Sequence, residues 1–383
     1  MSQLFGWPRA NGQIGIRNHV ALIPAMPYAV PVCRRIADQV AGTAVITHLN
    51  GRGQAGDDLE LTRSALVGVA LNPNVAAAVV VGFEPKTTEA IAERIRAGGK
   101  AVESVLISGR GSLTAAEQGA RAALDLVLKA SRVERVPFGP GDLVIGAECG
   151  GSDATSGLAS NPSVGAAMDR IVEAGGIVMF NEVHELIGAE AGLCARAADE
   201  RVARRIMEIT QYAVDEAFAA GVDIADTNPA PDNIAGGITT LEEKSLGAVA
   251  KGGTSVIRGV LEFGQSAPGP GLYIQNAPPP APESIASMVA SGAHIVVFTT
   301  GKGNPAGSPV TPIIKVSANP ESVETMPENI DLDLSAVLLG GATIADGGRL
   351  VWDEIMTVAS GGLTRAEVLG HDEFNIPRIG PVL

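Results

Sequence analysis

The chain has 383 residues, enough for two or three domains and a large buried core. Hydrophobic residues make up 46% but aromatics only 3%, so the core must be built from Ala, Val, Ile and Leu, as in parallel β/α architecture. A formal net charge of −14 argues against a nucleic-acid partner, because phosphate binding wants a basic surface.

In chain order, short apolar runs alternate with amphipathic stretches. Residues 19–25 read as a strand, 30–40 as a helix, 43–47 as a strand and 57–71 as a helix. The Val/Ala run at 75–81 reads as a buried strand, 87–97 as a helix, 102–107 as a strand and 114–130 as a long helix. The Pro- and Gly-bearing stretch 133–141 is the linker candidate. The second half opens with a strand at 142–146, a Gly-rich junction, a helix over 163–174 and a strand at 176–180. Residues 181–185 start a further helix, 196–219 carry the longest helical pattern, and a Pro/Asn-rich loop at 226–237 precedes a helix over 241–248. A helix at 283–291, strands at 294–299 and 313–316, an intervening loop at 300–312 and a late helix at 352–359 complete the pattern. The expected fold class is α/β: two Rossmann-like parallel-sheet domains with helices on both faces, spanning 1–135 and 136–383.

Cys33, Cys149 and Cys194 contain no CxxC and form no disulfide framework, which reads as a reducing, cytoplasmic compartment. The first nine residues show no apolar leader, and no apolar run is long enough to span a membrane.

The densest chemistry is Glu148-Cys149-Gly150-Gly151-Ser152-Asp153-Ala154-Thr155-Ser156-Gly157, at a strand-to-helix junction. Such a junction offers backbone N–H groups to an anion, and glycines let the backbone approach a ligand. A plain turn needs one Gly and one cap. Six other polar junctions stand beside apolar runs. Residues 9–19 place Arg9 and Arg17 as a carboxylate clamp or as surface arginines of a turn. His48 follows a strand and reads as a metal ligand or base, with Asp57 or Asp58 capping the next helix. Glu84 is a weaker candidate. Glu182 and Glu185 would share one helix face, although helix starts attract acidic residues anyway. Glu242–Gly253 offers a lysine for a substrate carboxylate, or a helix with a Gly cap. Residues 299–315 offer Lys302, Asn304 and Lys315 in an oxyanion-binding loop, without the Walker pattern. No GxGxxG follows the first strand and no GxSxG elbow is present, which speaks against a nicotinamide enzyme and an α/β-hydrolase.

In order along the chain, these blocks resemble the altronate/galactarate dehydratase family. The matching segments are Gly6–Asn18, Glu148–Pro162, Glu243–Gly253, Phe298–Gly303, Ile314–Val316, Gly370–Phe374 and Ile379–Pro381. The resemblance implies a lyase that removes water from a small 2-hydroxy acid such as an aldonate or aldarate. It implies His48, Glu148, Asp153 and Lys302 as catalytic residues, with Arg17, Gly150, Gly151, Ser152, Lys244 and Asn304 binding substrate. His48, Glu148, Cys149 and Asp153 would hold a divalent metal. Related enzymes carry cysteines in the blocks here reading Gly51–Gly53, Val81–Glu84, Leu246–Ala248 and Ala306–Ser308, where this chain has none; with only Cys149 kept, oxygen donors would dominate and Mg, Mn or Fe(II) is expected. Full-length members carry a small N-terminal SAF-like domain before the Arg-Asn block. This chain is similar to the stand-alone large subunit of two-component members, which implies a small SAF-domain partner and a homo-oligomer. The alternatives are a sulfolactate-type sulfo-lyase and a non-catalytic scaffold or sugar-acid-binding subunit.

Overall fold

The computed structural model describes residues 3–381, so the outermost ends of the two expected domains lie outside the described residues. Two parallel sheets organise the chain. The first has strand order Thr43–Val45, His19–Pro24, Val75–Gly82, Ala101–Leu106. Val75–Gly82 carries no polar side chain and pairs on both edges, which is what a central parallel strand needs. Its side chains alternate. Val79 and Val81 pack with Ile36 and Ala123 from helices Val30–Ala37 and Ser112–Ser131. Ala78 and Val80 face Leu66 and Ile91 from helices Gly56–Leu71 and Pro85–Ala97.

The second sheet has seven parallel strands, in the order Ile257–Leu261, Gly271–Gln275, Ile177–Phe180, Val144–Cys149, Ile295–Thr299, Ile313–Ser317, Leu332–Asp333. Helices Asn161–Glu173 and Ile344–Ala359 contribute Val164, Met168, Val351 and Ile355 to the core on one face. Helix Ala281–Ala290 contributes Ile285 and Met288 on the other, in a core shared with the first sheet. The α/β expectation therefore holds, with parallel sheets flanked by helices.

From Val144–Cys149 the chain runs outward through Ile177–Phe180. It later returns to the opposite side with Ile295–Thr299. Strand order reverses at that point, and the crevice above the carboxyl ends of these two strands is where open α/β sheets bind ligands.

Several local expectations are corrected. The linker at 133–141 contains strand Val136–Phe138, which pairs antiparallel with Leu4–Pro8. Residues 181–185 do not begin a regular helix, since Glu182 has φ 73° and precedes a single 3₁₀ turn, Val183–Glu185. The strands Ile257–Leu261 and Gly271–Gln275 were not expected, because Arg258, Gly259 and Gly271 break their apolar pattern.

The N-terminal segment binds the two sheets together. Arg17 makes a bidentate ion pair with Glu367 and donates to the carbonyls of Ile16, Val358 and Gly362. All five guanidinium N–H groups are used, so the expected substrate clamp is a structural clasp. His294 works beside it. Its Nδ1 accepts from the Val144 N–H at 2.9 Å, so the ring proton sits on Nε2 and is donated to Ile14 O at 2.8 Å. Burial lowers the His294 pKa to about 4. Because the folded value lies below the ordinary one, the unfolded chain takes up a proton that the folded chain refuses. This contribution to stability is present above pH 6.5 and is lost as the pH falls towards 4, by about 3 kcal/mol in total. Urea melts of His294→Gln are expected to lose correspondingly less stability over that interval than the wild type. Equal losses would remove His294 from the acid response.

Candidate active site

The central strand ends at Glu148 and Cys149, and strand alternation sends these two side chains to opposite faces. Glu148 turns towards helix Ala281–Ala290, where Ser284 Oγ donates to its Oε2 and Oε1 has no partner. Burial, then Glu182, raise its pKa well above the carboxylate range. Cys149 turns the other way, into a buried cluster that the sequence did not assemble.

In that cluster, Cys149 Sγ lies 3.3 Å from Glu182 Oε2 and 3.2 Å from Glu185 Oε2. The Cys149 N–H donates to Glu182 Oε2 at 3.2 Å. Lys251 Nζ donates to Cys149 Sγ at 2.9 Å and also to Glu182 Oε2. Lys244 Nζ lies 3.0 Å from Glu185 Oε1 and donates to Asn228 Oδ1. Burial and Glu185 raise the Glu182 pKa to about 7, partly offset by Lys251. Burial, Glu182 and Glu185 push the Cys149 thiol well up. Burial opposes the charge on Lys251, but the surrounding thiol and carboxyl groups outweigh it and raise its pKa. Glu182 is the only non-glycine residue at positive φ among the described residues. Such strain costs on the order of 1–3 kcal/mol and gathers at functional sites.

Next to this cluster lies a cavity of about 330 Å³, whose wall includes Ser152, Asp153, Asn161, Lys244, Leu158 and Leu246. Lys244 connects the two, since it lines the cavity and pairs with Glu185. Ser152 is 6% exposed and its Oγ has no partner. Asp153 Oδ1 accepts from Thr155 Oγ1 at 2.6 Å and from the Ser156 N–H, while Oδ2 accepts from Asn319 Nδ2 at 2.8 Å. The chain then makes a π-helical turn, Ser156–Ser160, before helix Asn161–Glu173. Asn161 anchors that start by donating to Gly247 O. A larger cavity of about 620 Å³, beside Gly68, Arg94 and Phe263, holds none of the clustered groups.

The loop glycines allow close approach. Gly151 sits at φ 61°, where side chains are strained. A Cβ on Gly150 would lie 2.8 Å from the Phe298 ring, and one on Gly301 would lie 2.2 Å from the Asp153 carboxyl carbon. The Gly150 N–H is taken by Thr299 O, while Gly301 and Lys302 both donate to Gly151 O. Lys302 is exposed at this edge, and Asn304 Nδ2 comes close to Gly150.

The expected site residues therefore separate. Ser152, Asp153 and Lys244 meet in one cavity, with Gly150, Gly151, Lys302 and Asn304 in the adjoining loops. His48 is taken up by backbone: Nδ1 accepts from the Asn50 N–H, leaving Nε2 to donate to Pro24 O. Neither nitrogen keeps a free lone pair, so it is not placed as ligand or base. Glu84 caps helix Pro85–Ala97 through the Lys86 and Thr87 N–H groups.

The expected metal set His48, Glu148, Cys149 and Asp153 is not brought together. Among the described residues, Cys149, Glu182 and Glu185 form the only group offering three such ligand atoms within 4.8 Å of one another, and it could hold a metal ion. One thiol and two carboxylates offer one soft and two hard donors. Lys251, the lysine of the 242–253 block that stands directly before Gly252-Gly253, meets Cys149 and Glu182 here.

Residues 141–382 match the family model described as D-galactarate/Altronate dehydratase, C-terminal. Residues 6–131 match D-galactarate dehydratase/Altronate hydrolase, second domain. The chain is 38% identical over 376 residues to the (2R)-sulfolactate sulfo-lyase subunit beta of Chromohalobacter salexigens, covering 98% of this chain and 97% of that one. It is 32% identical to the altronate dehydratase of Bacillus subtilis, covering 99% of this chain and 78% of the relative. It is also 32% identical to the Escherichia coli altronate dehydratase, covering 87% and 69%.

Proposed function

Since the chain belongs to the D-galactarate/altronate dehydratase family, we propose that it is a hydro-lyase acting on a small 2-hydroxy acid of the aldonate or aldarate class. The observation that carries the site assignment is the joining of Ser152, Asp153 and Lys244 in one cavity beside a buried cation–carboxylate cluster. Dehydration needs a group to hold the carboxylate, a base near the α-carbon and an acid near the leaving hydroxyl. Lys244 supplies charge for the carboxylate, and the unpartnered Ser152 hydroxyl supplies a hydrogen bond to a substrate oxygen. Asp153 takes the α-proton. Asp153 then gives that proton to the β-hydroxyl, which departs as water and leaves an enol that tautomerises to the 2-keto-3-deoxy acid. Cys149, Glu182 and Glu185 would hold a divalent ion, which when bound would supply Lewis-acid stabilisation of substrate oxygens. Lys302 and Asn304, at the loop edge, are positioned to meet the distal end of the substrate.

The relative that this chain matches end to end is named as a beta subunit, which favours a companion subunit here; its small SAF-like kind and a homo-oligomer are what the family resemblance implies. No helix among the described residues is long and apolar enough to cross a membrane. That same relative favours a second substrate reading, C–S cleavage of a sulfonated acid.

Incubation with aldonic, aldaric and sulfonated acids, with the companion subunit present, tests the assignment. A 2-keto-3-deoxy product from a sugar acid is expected. Sulfite release from a sulfonated acid, with sugar acids inert, would replace the hydro-lyase reading by the sulfo-lyase one. Ser152→Ala is expected to lower kcat/KM roughly tenfold, as for one lost hydrogen bond to a charged group. An unchanged kcat/KM would remove Ser152 from substrate binding.

A further inference from the structure

We propose that Lys251 and a divalent metal ion are alternative occupants of one cation site, so that Lys251 sets how readily this chain takes up metal. The inference rests on reading Cys149, Glu182 and Glu185 as a metal-holding group, and its argument is spatial. The ammonium of Lys251 is within hydrogen-bond distance of Cys149 Sγ and Glu182 Oε2, two of the three ligand atoms an ion would need. Lys251 is 1% exposed, and its side chain reaches the cluster from the 3₁₀ turn Ala250–Gly252. Gly252 lets that turn press against Phe180, because a Cβ there would lie 2.7 Å from the ring. The turn is also packed on helix Asn161–Glu173, where a Cβ on Gly165 would lie 2.1 Å from Ala250 O. The backbone therefore presents the lysine at a fixed depth.

A metal bonded to a thiolate sits about 2.3 Å from sulfur and would lie within the space the ammonium now fills. Two cations at such separation, away from water, repel strongly. An ion can enter only if the Lys251 head group leaves both atoms. The third ligand, Glu185, is meanwhile held by Lys244, so each carboxylate of the group already has a lysine partner. The cluster thus already has an ammonium seated on two of its three ligand atoms.

Cobalt(II) tests this without substrate, so the outcome is independent of whether the hydro-lyase reading holds. Purified wild type and Lys251→Met are titrated with Co(II), following the thiolate-to-cobalt charge-transfer band. Lys251→Met is expected to bind roughly tenfold tighter or more. Equal or weaker binding by a folded Lys251→Met, judged by near-ultraviolet circular dichroism, overturns the proposal. In parallel, wild-type crystals are soaked in millimolar Co(II), which decides the matter if the variant does not fold. An anomalous peak between Cys149, Glu182 and Glu185, with Lys251 Nζ withdrawn from both atoms, supports it. A bound ion with Lys251 still contacting Cys149 and Glu182, or no ion at the cluster, overturns it.

Discussion

Asp153→Asn is expected to reduce turnover by at least about 10²-fold with the fold intact, the lower end of what a positioned acid–base group supplies. The substitution is nearly isosteric. Its remaining carbonyl oxygen can still accept from Thr155 Oγ1 and the Ser156 N–H, as Asp153 Oδ1 does now. Gly301, packed against the carboxyl group, meets an amide of the same shape. The new NH₂ would face the Asn319 amide donor, and Asn319 cannot flip without losing its own cap on the Glu321 N–H, so about one hydrogen bond is lost. The thermal midpoint should therefore fall only slightly, by the loss of about one hydrogen bond, while kcat collapses. The check is kcat on the sugar acid identified by the substrate panel, with the melting temperature measured on the same preparation. Near-normal turnover would take Asp153 out of the chemistry. A large loss of thermal stability would make it a structural residue of the loop instead.

Lys251→Met should destabilise the protein by ~3–5 kcal/mol at pH 8, the usual cost of removing one partner of a buried ion pair. Lys251 and Glu182 are 1% and 2% exposed, so water cannot replace the lost ammonium. The sign of the pH dependence follows from Glu182. Its folded pKa is already raised to about 7 by burial and by Glu185, and Lys251 is what holds it down. Without the lysine, the folded value rises further above the unfolded one. The penalty is then small at low pH, where Glu182 accepts a proton, and grows as the pH rises through the folded pKa. Chemical denaturation of wild type and variant at pH 5.5 and pH 8 checks both magnitude and direction. A difference below about 1 kcal/mol at pH 8, or one that shrinks as the pH rises, would contradict the account of the cluster given above.

Much of the fold was legible because its signals are local. The Val/Ala run at Val75–Gly82 can only be satisfied between two neighbouring strands, and the helix Pro85–Ala97 announces itself by Pro at its start and arginines near its end. The Gly-rich block after Val144–Cys149 was legible for the same reason: a strand end, left-handed glycine and a helix start are all written in consecutive residues. Strands Ile257–Leu261 and Gly271–Gln275 escaped because they owe their place to neighbours rather than to an apolar run. His48 and Arg17 misled for a related reason. A histidine after a strand and an arginine near a turn have the right chemistry for a site, but whether their donors and acceptors are free depends on backbone atoms far away in sequence.

By itself, the sequence determined the α/β class, the Gly150–Asp153 loop as the centre of interest and the family to which the chain belongs. Those follow from periodicity, turn chemistry and residue order, which one stretch of chain carries alone. Tertiary structure decided which charged groups meet. It sent Glu148 and Cys149 to opposite faces of one strand, turned Glu182 into a left-handed conformation, and brought Lys251, 102 residues downstream of the cysteine, to Cys149 and Glu182. Buried charge makes those choices matter, since a carboxylate or ammonium out of water is tolerable only beside its partner, and only the folded chain supplies that partner.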